Sequence, residues 1–565
     1  MAILNHDILV VGGGLAGLRA AIEANLSADV AVLSKVYPIR SHSVAAQGGV
    51  NAALGNNQAK GPDSWEAHAF DTVKGSDYLA DQDSVEIMCQ DGPRRVIELE
   101  HWGAAFSRDE NGLIAQRPFG GGGFPRTCYA ADRTGHVMLH TLFEQTVKRS
   151  IKVYNEWHAI SLIVRDGRCL GVVAMDFVTG EVHAIGAKTV ILATGGYGRL
   201  YSKSTNALIN TGSALAIAYR AGVPVQDLEF VQFHPTTLFG TNILITEGAR
   251  GEGGILLNNK LERFMQRYAP TAVDLAPRDI VARSMWTEIV EGRGYEGGYL
   301  LLDLRHLGAK KIIERLPGIR QIAMDFAGID PIEEPLPVLP GQHYSMGGIR
   351  ADSDGLTEME GLYAAGECAC VSVHGANRLG GNSLLETIVF GKRAGEHAAR
   401  NVRKAQAPPE ETLKEAVAIQ EEKLGAWLCP GDGERPADVR DALTHLMMEK
   451  VGIFRDEAAL KQALAEIKAL RARFAQVTVR TKTRRLNQEL ITAMDVQAML
   501  DVAELVTMGA LARTESRGSH YRTDFKERDD ANWMKHTVAR ITDSGPQLTY
   551  VPVRVTKYQP KKREY

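Results

Sequence analysis

The stretch HDILVVGGGLAGLRAAIEA, His6 to Ala24, decides the fold. Its apolar run, DILVV, predicts a buried strand, the glycines a tight turn, and the Ala-rich remainder a helix. Gly12, Gly14 and Gly17 fit G-x-G-x-x-G, with Gly13 and Ala16 inside the same turn. The first glycine permits the turn, the second lets the backbone approach a pyrophosphate, and the third lets helix and strand pack closely. Free N–H groups at the helix start favour an anion. The bland alternative is a βα turn with no ligand, but the strand before and helix after favour a dinucleotide site. The second strand, DVAVLSKV, ends in Ser34 and Lys35, where a simple NAD site carries an acid. A serine hydroxyl can still bond a ribose.

Two later segments return to the same fold. AKTVILATGGYGRLY, Ala187 to Tyr201, reads as a buried strand entering a glycine turn. GLYAAGECACVSVHGANRLGGNSLLETIVFGKRAGEHAA, Gly361 to Ala399, reads as a short strand, an acid at Glu367, a Gly-rich loop and a long helix. A nucleotide fold split between 1–236 and 346–404 implies an inserted domain, 237–345. The insert is bounded by two histidine motifs, QFHPTT with His234 and QHYSMGG with His343. Either histidine alone reads as structural. One at each root reads as a site where a lid meets its base.

After the linker RKAQAPPEET, residues 412–512 are rich in Ala, Leu, Glu, Lys and Arg at helical spacing and predict a helical bundle with a solvated charged face. Residues 513–565 are dense in Arg, Asp and Trp without periodicity and predict an ordered C-terminal domain of loop and short strand.

At 565 residues the chain is long enough for roughly three to four domains. Its hydrophobic fraction of 44% and charged fraction of 24% are those of an ordinary globular protein. Lys+Arg 65 against Asp+Glu 68 gives a net charge of -3, which argues against nucleic acid as a partner. No apolar run reaches the roughly 18–20 residues needed to span a bilayer. The opening MAILNHDILVVGGG enters a strand at once, so the expected compartment is a bacterial-type cytoplasm. Cys89, Cys128, Cys169, Cys368, Cys370 and Cys429 form no C-x-x-C pair, which argues against a disulfide framework and against an intrinsic metal or iron–sulfur site.

A nucleotide fold supplies a redox cofactor. The candidate substrate shell is His234, Thr246, Glu247, Arg250, Arg278, His343 and Arg378. Arginines clamp carboxylates in a bidentate fork, so several such donors around one cavity suggest a small dicarboxylate. Interdomain ion pairs are the bland alternative.

Over nearly its whole length the chain resembles the flavoprotein subunits of succinate dehydrogenase and fumarate reductase. The resemblance rests on SKVYPIRSHSVAAQGG, QFHPTT, TEGARGEGG, PRD, QHYSMGGI, AAGECACVSVHGANRLGGNSLLE and RTESRGSHYRTDFKERDDANW together. It implies an α/β fold: a Rossmann-like FAD-binding domain with an inserted α+β capping domain, then a helical domain and a small C-terminal domain. It implies FAD rather than NAD, bonded covalently through His42, which raises the flavin's potential. It places Ser41, Ala46, Gln47, Gly48 and Gly49 along the isoalloxazine, Glu367 on the ribose, Ser383 and Leu384 near the ring, and Asn382 among the cofactor-binding residues. It places succinate between His234 with Thr246 and His343 with Arg378, beside Phe119. A hydride leaves one methylene to the flavin and a proton leaves the other to Arg278, relayed by Glu247 and Arg250. The residues alone point instead to His234 or Glu247 as base, because an arginine pKa lies above 12.

The resemblance also implies an iron–sulfur subunit and membrane anchor subunits with a quinone and possibly haem, on the cytoplasmic face of the bacterial inner membrane. One departure is Ser213, in NTGSA, where many members have an acid. L-aspartate oxidase, soluble fumarate reductases and a non-catalytic flavin-binding subunit are the rival readings. Gln47, where some fumarate reductases carry Glu, tips the direction toward succinate oxidation.

Overall fold

A computed structural model describes residues 2–429 and 431–564. The strand expected from DILVV spans Ile3–Val11 and lies in a seven-stranded sheet. It pairs in parallel with Val30–Ser34 on one side and Val182–Leu192 on the other. Val30–Ser34 is buried throughout, as a parallel strand covered on both faces must be. The Val182–Leu192 strand takes two partners along one edge. Its first half pairs antiparallel with Arg168–Asp176, and its end pairs in parallel with Leu362–Ala364. That last strand closes the nucleotide fold after the insertion.

The Leu15–Ala24 helix begins directly at Gly14. Gly12 has φ +124°, and a Cβ there would lie 2.1 Å from the Ala193 carbonyl oxygen. A Cβ on Gly17 would lie 1.9 Å from the Gly12 oxygen, so both positions require glycine.

Residues 237–345 gather their own core, which includes Leu238, Ile245, Leu256, Phe264, Val281, Leu300 and Val338. Behind it is a four-stranded antiparallel sheet in the order Val231–Leu238, Leu336–Ser345, Leu300–Asp303, Ile255–Leu257. The two long strands are the roots of the insert and carry His234 and His343. Their register shifts between His234 and Thr237, at Pro235, which cannot donate to the ladder.

Helices follow at Glu410–Leu428, Pro436–Lys450, Glu457–Phe474 and Gln488–Ala512. The first three expose charged faces as expected. The fourth differs: it is buried along most of its length, because it packs against Pro436–Lys450 and Glu457–Phe474 and also against Ser213–Arg220 of the nucleotide fold. None of the helices is long and apolar enough to cross a membrane, among the described residues. Five of the six cysteines are buried, and Cys429 is exposed.

The tail is more regular than its sequence suggests. Lys535–Thr542 and Gly545–Pro552 form a hairpin that extends a five-stranded sheet through Val225–Gln226. On this hairpin, His536 is buried between Asp227 (2.6 Å) and Asp81 (3.2 Å). Burial opposes its charge, but the two carboxylates overcome that and lift it from 6.5 to about 9. Because the folded pKa is raised, the stabilisation is complete below the unfolded value and is lost as pH rises through the folded one. The stability of the wild-type protein, followed by melting, should therefore fall by about 3 kcal/mol between about pH 6.5 and pH 9 from this group. The His536→Asn variant should show a flatter profile across that window.

Candidate active site

A cavity of about 430 Å³ runs from the glycine turn to the roots of the insert. At one end it is lined by Gly12, Gly13, Gly14, Ala16, Ser34, Lys35 and Ser213. The middle is lined by Ser41, His42, Ala46, Gln47, Gly48, Gly49, Glu367, Ser383 and Leu384. At the other end stand Phe119, His234, Thr246, Glu247, Arg278, His343 and Arg378. Of the residues expected from the sequence, Gly17, Arg250 and Asn382 do not reach the wall. Gly17 packs the helix on the strand. The Asn382 side chain is spent on Asn51 (2.8 Å), His68 (2.9 Å) and Thr72 (2.9 Å). Arg250 is buried behind Glu247 and donates to the Asp274 carbonyl oxygen.

This end is built around two guanidinium groups. Arg278 opens the Arg278–Glu288 helix. Its Nε donates to Glu247 Oε2 (2.6 Å) and its Nη1 to Gln232 Oε1 (3.1 Å). Arg378 Nη2 donates to the same Gln232 oxygen (3.1 Å), and its guanidinium lies over the Tyr344 ring, 4.4 Å from the centroid. Burial and the Arg278 charge push Arg378 down to about 9, so it remains a cation at neutral pH. Burial would raise the Glu247 carboxyl, but Arg278 and Arg250 hold it below the usual range. Its second oxygen accepts from the Gly120 N–H (2.6 Å).

The His234 and His343 rings meet edge to face, 4.9 Å between centroids. Burial first, then the neighbouring cationic groups, holds both well below 6.5, so both are neutral. His234 Nδ1 lies 3.2 Å from both the Thr236 N–H and the Thr236 carbonyl oxygen, so Thr236 fixes the ring's orientation and leaves Nε2 facing the cavity. His343 Nδ1 is held by the Thr205 hydroxyl (2.8 Å). Thr246 caps the Glu247–Gly251 helix by accepting from Gly248 N (3.1 Å), so its own O–H remains available to donate.

In the middle, His42 Nδ1 accepts from the Ala207 N–H (3.2 Å). Burial, then Arg199, lowers His42 to about 4, so it is a neutral imidazole with its proton on Nε2. Gly48 lies under Phe119: a Cβ there would be 2.6 Å from Phe119 Cζ. Glu367 accepts from the Ser345 N–H (3.0 Å), and burial lifts it to about 7. At the far end Lys35 pairs with Asp495 (2.6 Å), which also accepts from Thr211 Oγ1 (3.0 Å).

The fit to FAD can be judged from the walls. The turn at Gly12–Gly14 opens onto the cavity and tolerates no side chain at Gly12. Gln47 Oε1 and Arg378 Nε are buried with no partner among the described residues, although buried polar groups are ordinarily bonded. An elongated dinucleotide with a polar ring, followed by a small anion, suits this cavity.

Three residues of this neighbourhood escape the sequence reading. Gln232 sits inside the quoted QFHPTT motif, but an amide carries no signal of its own. Thr205 and Asp495 lie in segments without a motif; only their partners mark them.

Fold and cavity together define an FAD-dependent oxidoreductase. The family models agree: one described as an FAD binding domain matches residues 7–384, and one described as the C-terminal region of fumarate reductase flavoproteins matches 440–565. The chain is 45% identical to the succinate dehydrogenase flavoprotein subunit of Rickettsia bellii, over 98% of this chain and 96% of that one. It is also 45% identical to the fumarate reductase flavoprotein subunit of Mycobacterium tuberculosis, over 99% of each. The E. coli quinol fumarate reductase flavoprotein superposes with a TM-score of 0.95 at 41% identity, covering 100% of this chain and 99% of that chain. The chain belongs to the succinate dehydrogenase and fumarate reductase flavoprotein family. It is an enzyme acting on the succinate/fumarate pair.

Proposed function

We propose that this chain oxidises succinate to fumarate as the flavoprotein subunit of a quinone-linked complex. The observation that carries the reading is the wall at the insert's roots. One Gln232 oxygen accepts from both Arg278 and Arg378, and two neutral histidines close the same space. Such a set binds the two ends of a small dicarboxylate. His234 Nε2–H and the Thr246 hydroxyl donate to one carboxylate. Arg378 and His343 hold the other, so the central methylenes lie beside Arg278. Glu247, bonded to the Arg278 Nε, first takes a proton from the guanidinium; Arg278 then takes the proton from one methylene carbon, and Glu247 passes its own outward with Arg250 buried behind. FAD, when bound, supplies the acceptor for the hydride leaving the other methylene. Phe119 closes over Gly48 and excludes water from this end.

His42 is the point of covalent attachment for FAD. Its support is a neutral imidazole held by Ala207 in the cavity's middle. Gly12, Gly13, Gly14, Ala16, Ser34 and Lys35 take the nucleotide half, Ser213 lies beside them without an acid's charge, and Glu367 bonds a sugar hydroxyl. Gln47 favours oxidation over reduction; the reverse physiological direction is the second reading.

The cysteine spacings hold no cluster motif, so electrons leave through an iron–sulfur subunit and membrane anchor subunits to a quinone, on the cytoplasmic face of the bacterial cell membrane. Support comes from relatives whose names are quinol fumarate reductases, one of them determined with menaquinol. The test of the attachment is direct. After acid denaturation and washing, flavin fluorescence should stay with the band near 61.6 kDa on a denaturing gel. Complete release from a flavin-loaded preparation would favour the soluble oxidases and reductases.

A further inference from the structure

Beyond the hairpin, residues 553–564 run back across the molecule without regular structure. They are anchored as they go. The Gln82 side-chain oxygen accepts from the N–H groups of Lys557 (2.8 Å) and Tyr558 (2.9 Å), and Arg528 donates to the Lys561 carbonyl (3.0 Å). This delivers Arg563 between two carboxylates from distant parts of the chain. Its Nη2 lies 2.7 Å from Asp279 and its Nε 3.2 Å from Asp77. Asp77 follows the Trp65–Gly75 helix of the nucleotide-binding part and also binds Arg528 (2.7 Å) and the Gly518 N–H (2.9 Å). Asp279 is fully buried, in the first turn of the Arg278–Glu288 helix, immediately after Arg278. Its other cationic partner is Arg283 (3.3 Å), one turn along that helix.

We propose that Arg563 is a positioning residue for Arg278. It ties the first turn of the insert's helix to the nucleotide-binding part, and so keeps the Arg278 guanidinium on Glu247 and Gln232. The inference rests on the reading of Arg278 as proton acceptor. The physics is that of a buried carboxylate. An acid in a first turn suits the helix dipole, but once buried it needs a paired cation. Without Arg563, Asp279 retains, among the described residues, only Arg283 on its own helix as a cationic partner, and the turn's link to the Asp77 side becomes indirect, through the Arg283 bond to the Gly518 carbonyl oxygen (2.6 Å) and the Gly518 N–H on Asp77. A displacement of about 1 Å at a reacting group costs about a hundredfold in rate.

The test is Arg563→Gln in the assembled complex, with succinate turnover, malonate affinity and FAD content measured together. Turnover should fall about tenfold or more. Malonate affinity should change by less than about threefold, because His234, Thr246, His343 and Arg378 hold carboxylates from other elements. FAD content should match wild type. Arg563→Lys should recover part of the rate, since one ammonium satisfies one carboxylate and not the fork. Asp279→Asn should reproduce the rate loss. Wild-type turnover in Arg563→Gln and Asp279→Asn would overturn the proposal. So would parallel loss of turnover, malonate binding and FAD, or failure of Arg563→Gln to assemble, since Arg563 would then serve the fold as a whole. A wild-type complex that does not oxidise succinate would instead remove the functional reading beneath it.

Discussion

Replacing Arg278 with glutamine should lower succinate turnover roughly a thousandfold while leaving FAD bound, within the range expected for loss of a positioned proton acceptor. The cofactor cradle is untouched by this change. Arg278 bonds Glu247 and Gln232 and no residue of the glycine turn. Dicarboxylate affinity should fall much less, since the proposed carboxylate contacts are His234, Thr246, His343 and Arg378. An arginine is an unusual base because its proton is held so firmly. Here it has a carboxylate on one nitrogen at 2.6 Å and a second guanidinium sharing its amide acceptor. The first gives the proton a path out. Glutamine keeps a hydrogen-bonding amide but cannot carry the proton. A variant turning over at wild-type rate would remove Arg278 from this role and return the assignment to His234 or Glu247.

The second large effect is expected at His42. His42→Ser should hold FAD without a bond, lose succinate oxidation and retain fumarate reduction. The asymmetry is the informative part. Both directions use the same side chains, so a binding defect would lower both. A lowered cofactor potential penalises oxidation alone, because every ~30 mV moves a two-electron equilibrium tenfold. The serine removes the imidazole but leaves the Ser41 and Gly48 backbone in place, so the cavity's shape survives. Equal loss in the two directions would contradict the potential-raising role and leave His42 as a packing residue.

Much of this site can be read from residues 6–24 and from the two histidine motifs, for physical reasons. Gly12 and Gly17 face backbone oxygen within 2.1 Å of any added Cβ, so the turn allows no other residue and its spacing is rigid. His234 and His343 sit on adjacent strands at the roots of the insert, so flanking a domain in sequence meant meeting in space. Other parts were hidden. The Lys35–Asp495 pair joins residues 460 apart, and neither segment announces the other. The Gln488–Ala512 helix reads as part of a bundle, yet it is buried on nearly every face because the nucleotide fold covers the side left open by its neighbours. The tail lacks periodicity because its strands take their partners from Val225–Gln226, more than three hundred residues earlier. Asn382 carries a polar amide just after the Gly-rich loop, at the start of the Asn382–Asn401 helix, but Asn51, His68 and Thr72 claim it.

The most direct test of the central claim is an anaerobic titration of the purified, flavin-loaded protein with succinate, followed by the visible flavin absorbance. Succinate should bleach the flavin, fumarate should reverse the bleaching, and malonate should protect against it. No bleaching with succinate, or bleaching with L-aspartate in its place, would contradict it.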